Sequence, residues 1–392
     1  MTYNSNIAFI ASSLIACHLI AHIICKLKPT QGAEAIKSRE GHIDGLRGYL
    51  ALGVYMHHFS VTYNWRNGGI WTNPRDPILT HAGQISVALF FMITGFLFIK
   101  ILLNSSTQID WKALYIRRIF RIFPLYIAIV TTLILLALLE TKFSDISPKE
   151  LVTGMARWLL LIGDTINNYE HTRNIIAGVD WTLKYEWLFY LSLPFLSILF
   201  RFKKVTTFLC VSILIVSGET LQVSLLLWTF NTLYFHLFLV GGIIAKLSNH
   251  KLTININHPT ITITSLLSLV AIIFAFETAY GIPQSILLTI FFTPIALGNH
   301  IFGILKTNAA LFLGKISYSI YLTHGIILFI LFTVIFPQIP YNTTEKRFMV
   351  LMPVISPIII IISWASFSAI EKPMMEIGKN IANFTKQKNN PI

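Results

Sequence analysis

Eleven long apolar runs, near residues 7–25, 48–63, 84–103, 122–140, 183–200, 205–217, 223–245, 261–279, 283–303, 313–336 and 348–370, leave this chain few ways to fold. Most approach the roughly 20 residues with which a helix crosses the hydrocarbon core of a bilayer. Backbone donors and acceptors find no water there, so each run must satisfy its own hydrogen bonds as a helix. The expectation is an all-α polytopic membrane protein with about eleven transmembrane helices. Only 12 % of the 392 residues are charged and 54 % are hydrophobic, whereas soluble globular chains carry about 25 % charge. A further segment, 150–164, is short and follows Pro148, and reads as a re-entrant or interfacial helix.

A formal net charge of +13 in a soluble chain would point to nucleic acid, but here the distribution along the helix order decides its meaning. The first run opens with an uncharged MTYNSN and shows no small-residue cleavage site after Cys25, so it is expected to stay as a helix. With the amino terminus outside, nine basic residues fall on the outer side: Arg66, Arg75, Lys142, Lys149, Arg157, Arg173, Lys184, Lys346 and Arg347. The other 21 of the 30 fall inside. The positive-inside rule then gives a plasma-membrane protein with its amino terminus outside and its carboxyl terminus in the cytoplasm. No nucleic-acid partner is expected.

Cys17, Cys25 and Cys210 all lie in apolar runs and define neither a disulfide framework nor a redox compartment. His18 and His22 form an i, i+4 pair beside two of them, yet no carboxylate or third histidine joins them, and no metal is expected. Repeats and polar stretches long enough for a second folded domain are lacking. The longest polar stretch, 141–182, carries Asn167, Asn168, His171, Arg173 and Asp180 and reads as an outer lid or acceptor-recognition surface, or else a plain connector. The tail from Glu371 reads as a short cytoplasmic helix fading into disorder.

Arg47 and His58 share the run IDGLRGYLALGVYMHHF. Eleven residues at about 100° each bring both to one helix face, about 16.5 Å apart, while His57 points about 80° away. Ionisable residues in a membrane helix cost roughly 2.5–3.5 kcal/mol each on insertion scales, so an aligned pair marks a functional wall. In RRIFRIFP, Arg117, Arg118 and Arg121 are helical neighbours that can form one cationic patch. Guanidinium forks suit phosphate oxygens, and a basic flank also anchors topology. Glu186, in WTLKYEWLFYLSLPF after Trp181, suits general acid/base work or an acceptor hydroxyl, or simply the interface beside Lys184. GKISYSIYLTHGI sets Ser317, Tyr318, Ser319, Tyr321, Thr323 and His324 in one span, as in a lined cavity.

In order along the chain, IDGLRGYLALGVYMHHF, GQISVALFFMITGFLF, RRIFRIFPLY, WTLKYEWLFYLSLP, FHLFLVGGIIA, LGKISYSIYLTHG and IEKP resemble the acyltransferase family 3 membrane proteins. The resemblance spans most of the chain. It differs in Thr94 where a serine is usual before Gly95 and Phe96, in an extra helix before the first motif, and in a chain too short for the soluble esterase-like domain many relatives carry. It implies an acyltransferase domain over 44–373, preceded by an extra helix and linker at 1–43 and followed by a cytoplasmic tail at 374–392. It further implies His58, Arg47 and Glu186 as catalytic residues, with His58 as general base or transient acyl carrier. Donor-binding residues would be Arg47, Arg117, Arg118, Arg121, Tyr318, Tyr321 and His324, and Trp181 and Glu186 would face the acceptor.

The function so implied is O-acyl transfer, most simply acetyl, from cytoplasmic acyl-CoA to a hydroxyl of a surface or lipid-linked glycan such as lipopolysaccharide. The donor is a substrate, and no tightly bound cofactor is expected. The rival class is a proton-coupled transporter or exporter, for which buried Arg, His and Glu serve equally well. Against it stands the lack of an inverted repeat or paired broken helices.

Overall fold

Asp110 begins the helix with the arginines: its side chain accepts from Ala113 N at 2.9 Å, and the chain then stays helical for 30 residues through Pro124 to Glu140. The computed structural model describes residues 3–28, 40–104, 109–144, 147–199, 222–225, 228–248 and 254–389. Its main helices are α1 (Tyr3–Leu27), α2 (Gly41–Gly68), α3 (Pro77–Asn104), α4 (Trp111–Glu140), α5 (Pro148–Leu159), α6 (Trp181–Leu199), α7 (Phe235–Leu247), α8 (Pro259–Ala275), α9 (Ile282–Ala296), α10 (Asn308–Lys315), α11 (Ser317–Phe329), α12 (Leu351–Ser366) and α13 (Lys372–Asn389). A hairpin of β1 (Gln222–Leu225) and β2 (Trp228–Asn231) is the one sheet among the described residues. The chain is thus a helical multi-pass membrane protein.

Among the described residues, five segments are long and apolar enough to cross a membrane: Asn6–Leu27, Pro77–Asn104, Trp111–Glu140, Ser317–Ile335 and Glu345–Thr385. The helix α2 is as long as α3 but carries Arg47, Arg66 and the three histidines His42, His57 and His58, and most of its side chains are buried among its neighbours. Polar load is tolerated there because the helix does not face lipid.

Contacts at the helix ends define two faces of the bundle. At one, Asn6 Nδ2 donates to Asp76 Oδ2 at 2.5 Å and Tyr63 OH donates to the Thr343 carbonyl at 3.1 Å. At the other, Lys100 Nζ meets Glu40 Oε1 at 2.6 Å and Cys25 Sγ lies 3.6 Å from the Asn308 carbonyl. The amino-terminal end of α1 therefore sits with the loop after α2, and its far end sits with the start of α2.

The run 205–217 lies outside the described residues, and two other runs differ from the single spans expected of them. The run 223–245 opens as the hairpin, paired Gln222 to Asn231, and becomes helical only at Phe235. Asn231 ends the strand by accepting from Leu233 N with its side chain at 2.9 Å. The run 313–336 breaks at Ile316 between α10 and α11, while the helix expected from Glu371 onward is α13, continuous with α12 through a π turn at Phe367–Glu371. That last helix packs on α4, where Gly378 lies so close to the Phe120 side chain that a Cβ would clash. In keeping with the short helix expected at 150–164, α5 has 12 residues and is about 18 Å long, too short to span.

The polar stretch 141–182 is the largest departure. Its second half is not a surface lid but dives into the bundle, with Ile175, Ile176, Val179 and Asp180 essentially inaccessible. Gly325 of α11 lacks the Cβ that would strike the Ile176 backbone, and Tyr321 OH donates to the Val179 carbonyl at 3.2 Å. Irregular backbone at such depth is tolerated only where protein or a water-filled cavity surrounds it. At its end, Arg173 Nη2 holds Asp180 Oδ2 at 2.6 Å. In consequence α6 starts inside the bundle.

Candidate functional site

Five helices enclose a cavity of about 590 Å³ that is open at the Glu40–Lys100 end of the bundle. Its wall is built from helical phase. Asp44 and Arg47 come from α2, Thr94 and Lys100 from α3, Arg118 and Arg121 from α4, and Ser317, Tyr318 and Tyr321 from α11. Thr182, Glu186 and Tyr190, spaced i, i+4, i+8, form the stripe that α6 contributes. Apolar side chains of α3, among them Phe90, Phe91 and Leu97, complete it.

The polar groups are arranged as a basic surface with internal counter-charge. Arg47 Nη1 lies 3.5 Å from Asp44 Oδ1 one helical turn away. Arg118 stacks over Phe98 at 4.9 Å and Tyr190 at 5.8 Å, and the Tyr190 hydroxyl donates to Glu186. Arg118 Nε and Ser317 Oγ are buried without a hydrogen-bond partner among the described residues. A buried guanidinium N–H without an acceptor is costly, and an anionic ligand in the cavity would supply one.

Beyond Tyr321 lies the histidine layer. Tyr321 packs edge-on against Phe90 at 6.1 Å and against His324 at 6.3 Å. His324 stacks on His58 at 5.1 Å, with His58 Nδ1 to His324 Nε2 at 3.0 Å. The His58 ring also lies 6.2 Å from Trp71, in the loop at the opposite end of the bundle from the cavity mouth. His58 keeps partial accessibility, whereas His324 is fully buried. His57 is pinned to α3: its Nδ1 lies 3.0 Å from the Leu79 carbonyl, against the bare face of Gly83.

Of the residues picked out in the sequence, Arg47, Arg118, Arg121, Glu186, Tyr318 and Tyr321 converge on this cavity. Arg117 does not. One residue's turn from Arg118 takes it to the outside, where Nη2 donates to Asn383 Oδ1 of α13 at 3.2 Å. Glu186 stands in the same wall as the arginines rather than at an outer surface, because α6 begins at depth. Trp181 packs among Phe91, Tyr185 and Tyr234 beside that wall. His324 lies against His58, outside the cavity lining. Sequence reasoning missed Lys100 at the mouth and Glu371, a buried carboxylate that accepts from Ser319 Oγ at 2.8 Å and interacts electrostatically with Arg121 and Arg47. The IEKP segment was the available signal for Glu371.

Fold and site together define a multi-pass membrane protein with a basic cavity entered from one face and a histidine pair behind it. The chain belongs to the acyltransferase domain family, whose model matches residues 41–368. It is 25 % identical over 164 residues to the protein named "Putative peptidoglycan O-acetyltransferase YrhL" of Bacillus subtilis strain 168, an alignment covering 39 % of this chain and 23 % of that protein. The chain thus spans about a quarter of the length of that curated relative. No solved structure matches the chain.

Proposed function

We propose that the protein transfers an acyl group, most simply acetyl, from CoA to a hydroxyl of an extracytoplasmic or lipid-linked glycan. The observation that carries this reading is the arginine-walled cavity ending at Tyr321, one ring layer from His58. The Glu40–Lys100 face is the cytoplasmic one in this reading, which accords with the basic residues on that side. Arg118, Arg121 and Lys100 bind the donor phosphates by charge-assisted hydrogen bonds, and the pantetheine arm extends past Phe90 and Tyr321. Arg47 holds the thioester carbonyl oxygen or a phosphate. Glu186, bonded to Tyr190, keeps the guanidinium groups in place.

In the transfer step His58 Nε2 takes the proton of the acceptor hydroxyl as its oxygen bonds to the thioester carbonyl carbon. The carbon–sulfur bond then breaks, and the proton on Nε2 passes to the CoA thiolate. General-base assistance of this kind contributes about 10²- to 10⁴-fold. The glycan approaches from the Trp71 side, and the name of the relative supports a cell-wall polysaccharide as the acceptor class.

The test is purified protein reconstituted in liposomes with radiolabelled acetyl-CoA and a sugar acceptor. Labelled O-acetyl sugar and free CoA in equal amounts are expected. Substrate crossing the membrane with the thioester intact would replace this reading with the transporter.

A further inference from the structure

We propose that His324 is a positioning residue that fixes the tautomer of His58. The inference rests on the reading of His58 as general base. Its starting point is the Ile320 carbonyl, 3.0 Å from His324 Nδ1. A carbonyl oxygen only accepts, so His324 Nδ1 carries the hydrogen. In the neutral ring His324 Nε2 is then a bare acceptor. His58 Nδ1 lies 3.0 Å from it, and so His58 Nδ1 carries the hydrogen of that contact. Each neutral ring carries its one N–H on Nδ1, and the unprotonated nitrogen of His58 is Nε2. The backbone of α11 thereby acts through one buried side chain, alongside the Val54 carbonyl of α2 itself, to leave Nε2 as the nitrogen that can act as base.

The same chain of bonds steadies the transition state. When Nε2 takes the acceptor proton, the positive charge on His58 is shared through Nδ1–H with His324 Nε2, which meets no other donor among the described residues. His324 is fully buried between Tyr55 and Tyr321, so it touches neither donor nor acceptor and its orientation is set by packing. Tautomer control by a neutral imidazole plays here the part that a carboxylate plays in a Ser-His-Asp triad.

The experiment compares His324→Leu, His324→Gln and His58→Ala at matched levels of folded protein, measuring kcat, KM for acetyl-CoA and donor binding. His324→Leu removes the acceptor of His58 Nδ1–H, and kcat is expected to fall about 10²-fold or more with donor binding within about twofold of the parent. Gln at the same position can present its carbonyl oxygen to Nδ1–H and is expected to recover at least about tenfold of that loss. A folded His324→Leu protein with parental kcat, or a folded His324→Gln protein as inactive as His324→Leu, overturns the inference. Activity in His58→Ala overturns the base assignment itself, and with it this proposal. Loss in His58→Ala with full activity in His324→Leu removes only the role of His324. Should the leucine variant not fold, the decision passes to nitrogen-15 NMR of the His58 ring in the parent: a protonated Nδ1 and bare Nε2 are expected, and the reverse overturns the proposal.

Discussion

Arg117 and Arg118 are consecutive, yet one reaches Asn383 on the last helix at 3.2 Å and the other lies over the Phe98 and Tyr190 rings in the cavity wall. A patch that looks uniform in sequence is divided by helical phase into an outer and an inner part. The division gives the arginines separable roles.

Replacing Arg118 or Arg121 by Ala is therefore expected to weaken acetyl-CoA binding by roughly ten- to hundredfold, the loss of a charge-assisted hydrogen bond worth about 1.5–3 kcal/mol. Arg117→Ala is expected to leave donor affinity within about twofold. Calorimetric titration of the detergent-solubilised variants measures both. Equal losses at Arg117 and Arg118 would show that the patch acts as one undivided surface charge.

The contrast between two glycines tests the packing that encloses the cavity. A Cβ at Gly95 would overlap the Phe238 carbonyl, and one at Gly241 would overlap the Met92 carbonyl, so α3 and α7 touch backbone to backbone. Small residues allow this kind of approach between membrane helices. Gly95→Ala is expected to cost about 1–3 kcal/mol or more through overpacking, seen as a lower melting temperature and yield. Gly68, with nothing among the described residues within 4 Å of its Cβ position, serves as the control, and Gly68→Ala should leave both unchanged.

Sidedness is tested by labelling. Lys346 and Lys379 are both exposed, one before α12 and one in α13, and the continuous helix between them carries the chain from one face to the other. In a cysteine-free background, Lys346→Cys is expected to react with an impermeant maleimide on intact cells, and Lys379→Cys only after lysis. The reverse pattern would place the cavity mouth on the outer face, away from CoA.

What the sequence made legible was whatever depends on local periodicity. Arg47 and His58 share a face because both lie within one unbroken helix, and most of the apolar runs mark helices because a single lipid-facing segment satisfies its own backbone only as a helix. The partner of His58 was hidden, since His324 is 266 residues away and only the packing of α11 on α2 brings them together. The depth of 160–180 was hidden by its composition. Asn167, Asn168, His171 and Arg173 read as surface, although Ile175, Ile176 and Val179 carry the apolar signal of a buried segment. Misplacing that segment also misplaced Glu186, because α6 takes its depth from the residue at which it begins.

His57 and His58 provide the sharpest functional comparison, because their rings touch at 5.0 Å and share one helix while their bonds differ. His57 spends Nδ1–H on the Leu79 carbonyl and fills the space that Gly83 leaves open. Its replacement by Ala leaves that carbonyl without its donor and opens a void, so the cost should appear as stability, about 1–3 kcal/mol. His58 is bonded through Nδ1 to His324 and has Nε2 free for the acceptor proton. Replacing it by Ala should lower kcat about 10²- to 10⁴-fold while acetyl-CoA still binds, since a general base acts on the chemical step rather than on uniform binding. Single-turnover assays at equal folded protein separate the two cases. If His57→Ala loses kcat as fully as His58→Ala with donor binding and melting temperature preserved, the proton is not taken by His58 alone.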